Sequence, residues 1–197
     1  MRICAVIVAG GQSSRMGREK AMETIRGRRM IDRMAATLGS QVDSIVVNAT
    51  GDTQRFLSLG LPIIADLRSD IGTPLAGVHA ALDHAHANGF DAVLTAPSDA
   101  PFLPGDLVQR LADAGRSAAI AASGGQPHYL TGLWSRALLP EMELALAQPR
   151  TPRLQDWCRM CEAATVEWPT APFDPFFNVN TLDELAEAER IAAEFGL

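Results

Sequence analysis

The chain has 197 residues, 47% of them hydrophobic, and a formal net charge of −6; the length suits one domain with a substantial core. That charge excludes a general nucleic-acid binder, which needs a basic face, and no run of about 18 apolar residues predicts a membrane span. With no cleavable signal pattern at the start and an odd set of cysteines, Cys4, Cys158 and Cys161, a cytoplasmic protein without a disulfide framework is expected.

Ile3 to Val8 is a continuous apolar run, read as a buried strand. It leads into Ala9-Gly10-Gly11-Gln12-Ser13-Ser14-Arg15-Met16-Gly17-Arg18-Glu19-Lys20. Glycine and serine let backbone N–H groups converge on an anion, and Arg15 and Lys20 add fixed positive charge where a polyphosphate would lie. The spacing is that of neither a P-loop nor the dinucleotide fingerprint. A third kind of nucleotide site is indicated, with a basic surface connector as the alternative.

A helix is predicted near Arg29 to Leu38, a strand at Ser44 to Val47, a short helix near Thr53 to Ser58 and a strand at Pro62 to Ala65. Next come a helix from Pro74 to about His86, a strand at Ala92 to Thr95, a helix near Pro104 to Ala114 and a strand at Ala118 to Ala122. Strands that read as apolar runs and alternate with helices indicate an α/β protein, its parallel sheet covered on both faces. After Gly124-Gly125 the rhythm changes to a strand at Tyr129 to Trp134, helices at Ser135 to Ala147 and Arg153 to Met160, and a strand at Ala164 to Glu167. Pro169, Pro172 and Pro175 precede a last helix, Leu182 to about Glu194, with Thr181 as N-cap and Glu184 completing a capping box. Cys158 and Cys161 make a C-x-x-C pair with no second pair or nearby histidine, and are read as helix residues one turn apart.

Ligands of open α/β sheets sit at the carboxyl ends of strands, so the loops there carry the chemistry. Asp99 stands between Pro97 and Pro101 after an apolar strand; it is read as a carboxylate placing Mg²⁺ on a nucleotide or as a turn residue capping the next helix. Asp106 suits that helix's first turn. Gly77, in a first helical turn, allows close approach of a flat base or tight helix packing. Asp66 accepts from a base or ribose, or is a solvated loop residue. Asn178 and Asn180 fall on one side of an extended segment and Phe177 and Val179 on the other; Asn180 has capping as its alternative. Of the four histidines, His79, His84 and His86 fall on one helix, and His128 alone is placed near a ligand.

Together, Val8-Ala9-Gly10-Gly11-x-Ser13-x-Arg15-Met16-Gly17-x-x-Lys20, Asn48, Asp66, Gly72-x-Pro74-Leu75-Ala76-Gly77, Pro97-x-Asp99-x-Pro101 and Phe177-Asn178-Val179-Asn180-Thr181 resemble the molybdenum cofactor guanylyltransferases, within the nucleotidyltransferase group. The resemblance runs in order over nearly the whole chain. It implies a three-layer Rossmann-like fold with a mostly parallel central sheet. It also implies a single domain over residues 1–197 whose part to about 110 binds nucleotide and whose part from about 111 binds the acceptor.

The implied activity is transfer of GMP from Mg-GTP to molybdopterin or its molybdenum-loaded form, releasing pyrophosphate without a protein nucleophile. Val8, Ala9, Gly10, Gly11, Lys20, Asn48, Asp66 and Asp99 would hold GTP, with Asp99 also on Mg²⁺. Arg15 and Lys20 would stabilise the polyphosphate charge. Asn178 and Asn180 would face the pterin, with Arg150 or Arg153 either beside them or on the surface. Proteins that insert molybdenum or deliver to target enzymes are the further partners implied. Gly10 stands where the related cytidylyl version has alanine, which favours the larger base. Val8 departs from the usual leucine, and Ala100 from a common hydroxyl residue. A cytidylyltransferase acting on the same pterin or another small phosphate, and a non-catalytic nucleotide-binding protein, are the alternatives.

Overall fold

Alternation along the first strand organises the molecule. The computed structural model describes residues 1–9, 20–51, 53–68 and 70–197. In chain order come β1 (Ile3–Val8), a short hairpin of β2 (Thr24–Ile25) and β3 (Arg28–Arg29), α1 (Met30–Gly39), β4 (Ser44–Asn48), β5 (Ile63–Ile64) and α2 (Pro74–Ala87). There follow β6 (Ala92–Pro97), α3 (Leu107–Asp113), β7 (Ala118–Ser123), β8 (Gln126–Ser135), α4 (Leu139–Leu146), α5 (Leu154–Met160), β9 (Ala164–Trp168) and α6 (Leu182–Phe195).

Among the described residues, seven strands form one sheet in the order β5-β4-β1-β6-β8-β7-β9. Only the pairings of β8 with β6 and β7 are antiparallel; β1 with β4 and β6, β4 with β5, and β7 with β9 are parallel. Every residue of β1 is buried. Ile3, Ala5 and Ile7 join a core with α1 and α3, while Cys4, Val6 and Val8 join a second core with α2, α4 and α5. This is why β1 reads as an unbroken apolar run: both faces are covered. Burial pushes the Cys4 thiol up to about 12, so it is a small apolar side chain there.

The expected α/β class and a mostly parallel sheet are thus present, and the expected elements lie within a few residues of their predicted places. The segment after Thr53 is a 3₁₀ helix, Gln54–Leu59. The helix expected from Ser135 is a 3₁₀ turn, Arg136–Leu138, followed by α4. Pro140 lies in the first turn of α4, where its missing N–H costs nothing and its ring disfavours helix before it. The β2–β3 hairpin was not expected. Its turn places Arg26 at φ 51° and Gly27 at φ 74°, the left-handed pair that suits a two-residue hairpin. Ile25 carries the hairpin into a third core with Phe102, Val179, Ala188 and Ile191.

β8 is locked onto β6 by a buried polar pair. The Trp134 indole N–H donates to Thr95 Oγ1 at 2.8 Å, and Thr95 Oγ1 donates to the Leu130 carbonyl at 2.7 Å. Both side chains are fully buried. Thr95→Val keeps the shape and orphans the indole N–H, so urea denaturation should show a loss of roughly 2 kcal/mol.

His79, on α2, is 7% exposed, and burial holds its imidazole below the ordinary 6.5. The unfolded chain takes up a proton below that pH while the folded one resists it. Stability is therefore full above about 6.5 and should fall as the pH drops below it, with His84 and His128, also lowered by burial, adding in the same direction. Denaturation midpoints measured from pH 8 to 5 check this. No helix among the described residues is long and apolar enough to cross a membrane.

Candidate active site

Three parallel strands end side by side, and the chain stitches their ends together. The Ala9 N–H donates to the Asn48 carbonyl at 2.8 Å, and the Ser98 N–H to the Val8 carbonyl at 3.1 Å. The chain leaves β1 for β4 and β5 on one side and returns to β6 on the other, so β1 marks the switch point at which α/β sheets bind ligands.

On the β4 side, Asn48 is 1% exposed. Its Nδ2 donates to Asp66 Oδ1 at 2.9 Å and to the Ile64 carbonyl at 3.4 Å, which fixes the carboxylate beside the ends of β4 and β5. Gly77 lies directly beneath. A Cβ there would come 2.8 Å from Val8 Cγ1 and 2.9 Å from Asn48 Oδ1, so this glycine seats α2 against the strand ends. Its position favours the packing alternative over an open space for a base. The seating carries the N-terminus of α2, with Thr73 extended and Pro74 in the first turn, to the same end of the sheet. The positive end of the helix dipole there favours an anion.

On the β6 side, Asp99 lies in the loop that follows the strand. Its carbonyl accepts from the Val179 N–H at 2.9 Å, tying the loop to the segment before α6. A cleft of about 300 Å³ opens between them, with Asp99, His128, Tyr129, Phe176 and Asn178 in its walls. A larger cavity of about 530 Å³ lies elsewhere, against α1, α3 and the proline-rich 169–175 segment. Its walls share no residue with the strand-end cleft, and none of the predicted site residues lines it.

Thr181 caps α6 through Oγ1, which accepts from the Glu184 N–H at 3.2 Å. The return arm of the expected capping box differs by one residue: Glu184 Oε2 accepts from the Asn180 N–H at 2.7 Å, not from Thr181. The cap is therefore Thr181, and the Asn180 side chain is not needed for it. Val179 is fully buried and Asn178 exposed, while Phe177 and Asn180 are both half-buried; of the two amides, Asn178 is the one among the cleft residues. Asp106 sits at the start of α3 and accepts from the Trp168 indole N–H at 3.0 Å, a structural use. Arg153 precedes α5, and neither it nor Arg150 is among the cleft residues.

The expected residues Gly10, Gly11 and Arg15, and the Lys20 side chain, lie outside the described residues; Lys20 itself begins a 3₁₀ turn, Lys20–Met22. Val8, Ala9, Asn48, Asp66, Gly77 and Asp99 meet at one end of the sheet, with Asn178 across the cleft from Asp99. Sequence reasoning missed Ser123 and Phe176. Ser123 Oγ lies 2.7 Å from His128 Nε2, and the Phe176 ring lies 4.7 Å from the imidazole, centroid to centroid. Among the described residues no cluster of three or more His, Cys, Asp or Glu would hold a metal. Burial pushes the Cys158 and Cys161 thiols up to about 12 and about 11.

Known proteins resemble this chain over most of its length. A family model described as a MobA-like NTP transferase domain matches residues 5–165. The chain is 45% identical to a molybdenum cofactor guanylyltransferase from Nitrobacter hamburgensis, over 95% of this chain and 93% of the relative. A protein of the same description from Rhodobacter capsulatus is 43% identical over 96% of each chain. Among solved structures, molybdopterin-guanine dinucleotide biosynthesis protein A from Archaeoglobus fulgidus superimposes with a TM-score of 0.72 at 27% identity, covering 98% of this chain and 99% of that one.

Proposed function

The chain belongs to the MobA-like NTP transferase family, and from that premise and the strand-end cleft we infer that it transfers GMP from GTP to molybdopterin, or to its molybdenum-loaded form, releasing pyrophosphate. It is a nucleotidyltransferase that works in molybdenum cofactor biosynthesis. The observation that carries this reading is the placement of two distinct chemistries on either side of β1: the Asn48–Asp66 pair on one, and the Asp99–Asn178 cleft on the other.

Each side has a role that follows from its chemistry. Asp66, held through Oδ1 by Asn48, keeps its other oxygen for the donor groups of a nucleoside, while the N-terminus of α2 favours the anionic phosphates. By the resemblance, Val8, Ala9, Gly10 and Gly11 hold that nucleotide, and Arg15 and Lys20 neutralise the charge that develops on the leaving pyrophosphate. The half-buried Asp99 carboxylate offers the hard oxygen that Mg²⁺ prefers. Bound there, the ion would neutralise phosphate charge and orient the reacting phosphates. Asn178 and Asn180 meet the acceptor. The nucleotide half extends to about residue 110 and the acceptor half from about 111, within one domain that we place in the cytoplasm.

The test is direct. Protein incubated with GTP, Mg²⁺ and molybdopterin should release pyrophosphate and form the guanine dinucleotide, and omission of any one should stop it. Preference for CTP over GTP would overturn the base assignment, and binding of GTP without turnover would overturn the activity.

A further inference from the structure

A buried serine and a histidine stand in the acceptor half, and the roles assigned above do not use them. Ser123 ends β7 and His128 lies near the start of β8, joined by the Gly124–Gly125 turn. The Ser123 side chain is 2% exposed. Among the described residues, His128 Nε2 at 2.7 Å is the one hydrogen-bond partner of its hydroxyl.

That isolation decides the tautomer. A hydroxyl both donates and accepts, while a neutral imidazole carries one N–H and one bare nitrogen. If Nε2 carried the hydrogen, the buried Ser123 O–H would have no acceptor, a loss that folded proteins avoid. If Ser123 donates to Nε2, the pair is satisfied and the hydrogen sits on Nδ1. Burial keeps the ring in its neutral form, opposed by the charges of Asp174 and Glu167. Phe176 holds the ring from the side. The ring is thus fixed by two contacts, and Nδ1–H is its remaining polar group. His128 lines the same cleft as Asp99 and Asn178.

We propose that His128 is an acceptor-substrate ligand, its Nδ1–H donating to an oxygen of the phosphate that attacks GTP, with Ser123 as the positioning residue that holds the ring in this tautomer. The attacking phosphate must come to the Asp99 side of the cleft, and one of its other oxygens then faces the His128 wall. A neutral donor there orients the anion without competing with its nucleophilic oxygen for a proton. The inference rests on guanylyl transfer to a pterin phosphate.

The tautomer is read by two-bond ¹H–¹⁵N correlation on the intact protein at pH 8. Hydrogen on Nδ1 of His128 is expected, and hydrogen on Nε2 would overturn the inference. Kinetics test the ligand. His128→Leu should raise KM for molybdopterin about 10- to 100-fold, the effect of losing a hydrogen bond to a charged group, with GTP affinity within about twofold of wild type. His128→Asn, which keeps an N–H near Nδ1, should recover most of the loss, and His128→Gln, with its N–H near Nε2, should not. Ser123→Ala should lower kcat/KM for the pterin several-fold. An unchanged KM in His128→Leu while wild type turns over would overturn this inference alone. Failure of wild type to release pyrophosphate would overturn the parent reading and this one with it.

Discussion

Replacing Asp99 by alanine is expected to lower kcat for GMP transfer about a thousandfold. A metal ion on transferring phosphates supplies several kcal/mol of transition-state stabilisation, and about 4 kcal/mol corresponds to that factor. The backbone tie between the loop and the segment before α6, in which the Asp99 carbonyl accepts from the Val179 N–H, survives the change. Asp99→Asn preserves shape and loses charge, so it should lose nearly as much. Steady-state rates over a Mg²⁺ titration, beside thermal midpoints, separate the two effects. A variant with wild-type kcat would remove Asp99 from any role at the metal.

Gly77→Ala should reduce stability by roughly 2 kcal/mol and weaken GTP binding about tenfold, both together. The new methyl would meet Val8 at 2.8 Å and Asn48 Oδ1 at 2.9 Å, closer than atoms pack, and overfilling a tight site costs about 1–3 kcal/mol. Relief requires α2 to lift or Asn48 to turn. A turned Asn48 releases Asp66 from its 2.9 Å bond, so the binding loss follows from the packing loss. Urea titration and calorimetric GTP binding on the same variant distinguish the two uses of this glycine. Weakened binding at unchanged stability would mean that the base itself approaches Gly77.

Much of this arrangement is legible in the chain because burial on both faces leaves a plain mark. β1, β6 and β7 are buried along almost their whole length, so they stand out as apolar runs, and the polar loops that follow them mark the ligand-binding end. What escaped detection depends on contacts between strands. β2 and β3 are two residues each, with Ile25 alone buried, too short for any period to show. The first five residues of β8, Gln126–Leu130, are exposed or half-buried without alternation, which hid the strand's beginning. The Ser123–His128 bond depends on the β7–β8 register, which shifts between Ile120 and Ala121; a bulge of that kind leaves no signature in residue type. Asn48 and Asp66 each drew notice, yet their bond follows only from β4 and β5 being neighbours.

The reversed direction of β8 has a further consequence. Its neighbours deliver their last residues to the cleft, whereas β8 delivers its first, together with the turn at Gly124 and Gly125. That hairpin is a tip, fastened from outside by Glu167 Oε1, which accepts from the Gly125 N–H at 3.0 Å, while Asn48 ends β4 and Asp66 follows β5 on the other side of β1. Exchanges at the tip can therefore reshape the His128 wall of the cleft without touching the Asn48–Asp66 pair. On the division of the cleft proposed above, an exchange at the tip would then alter acceptor binding and leave GTP binding as it is.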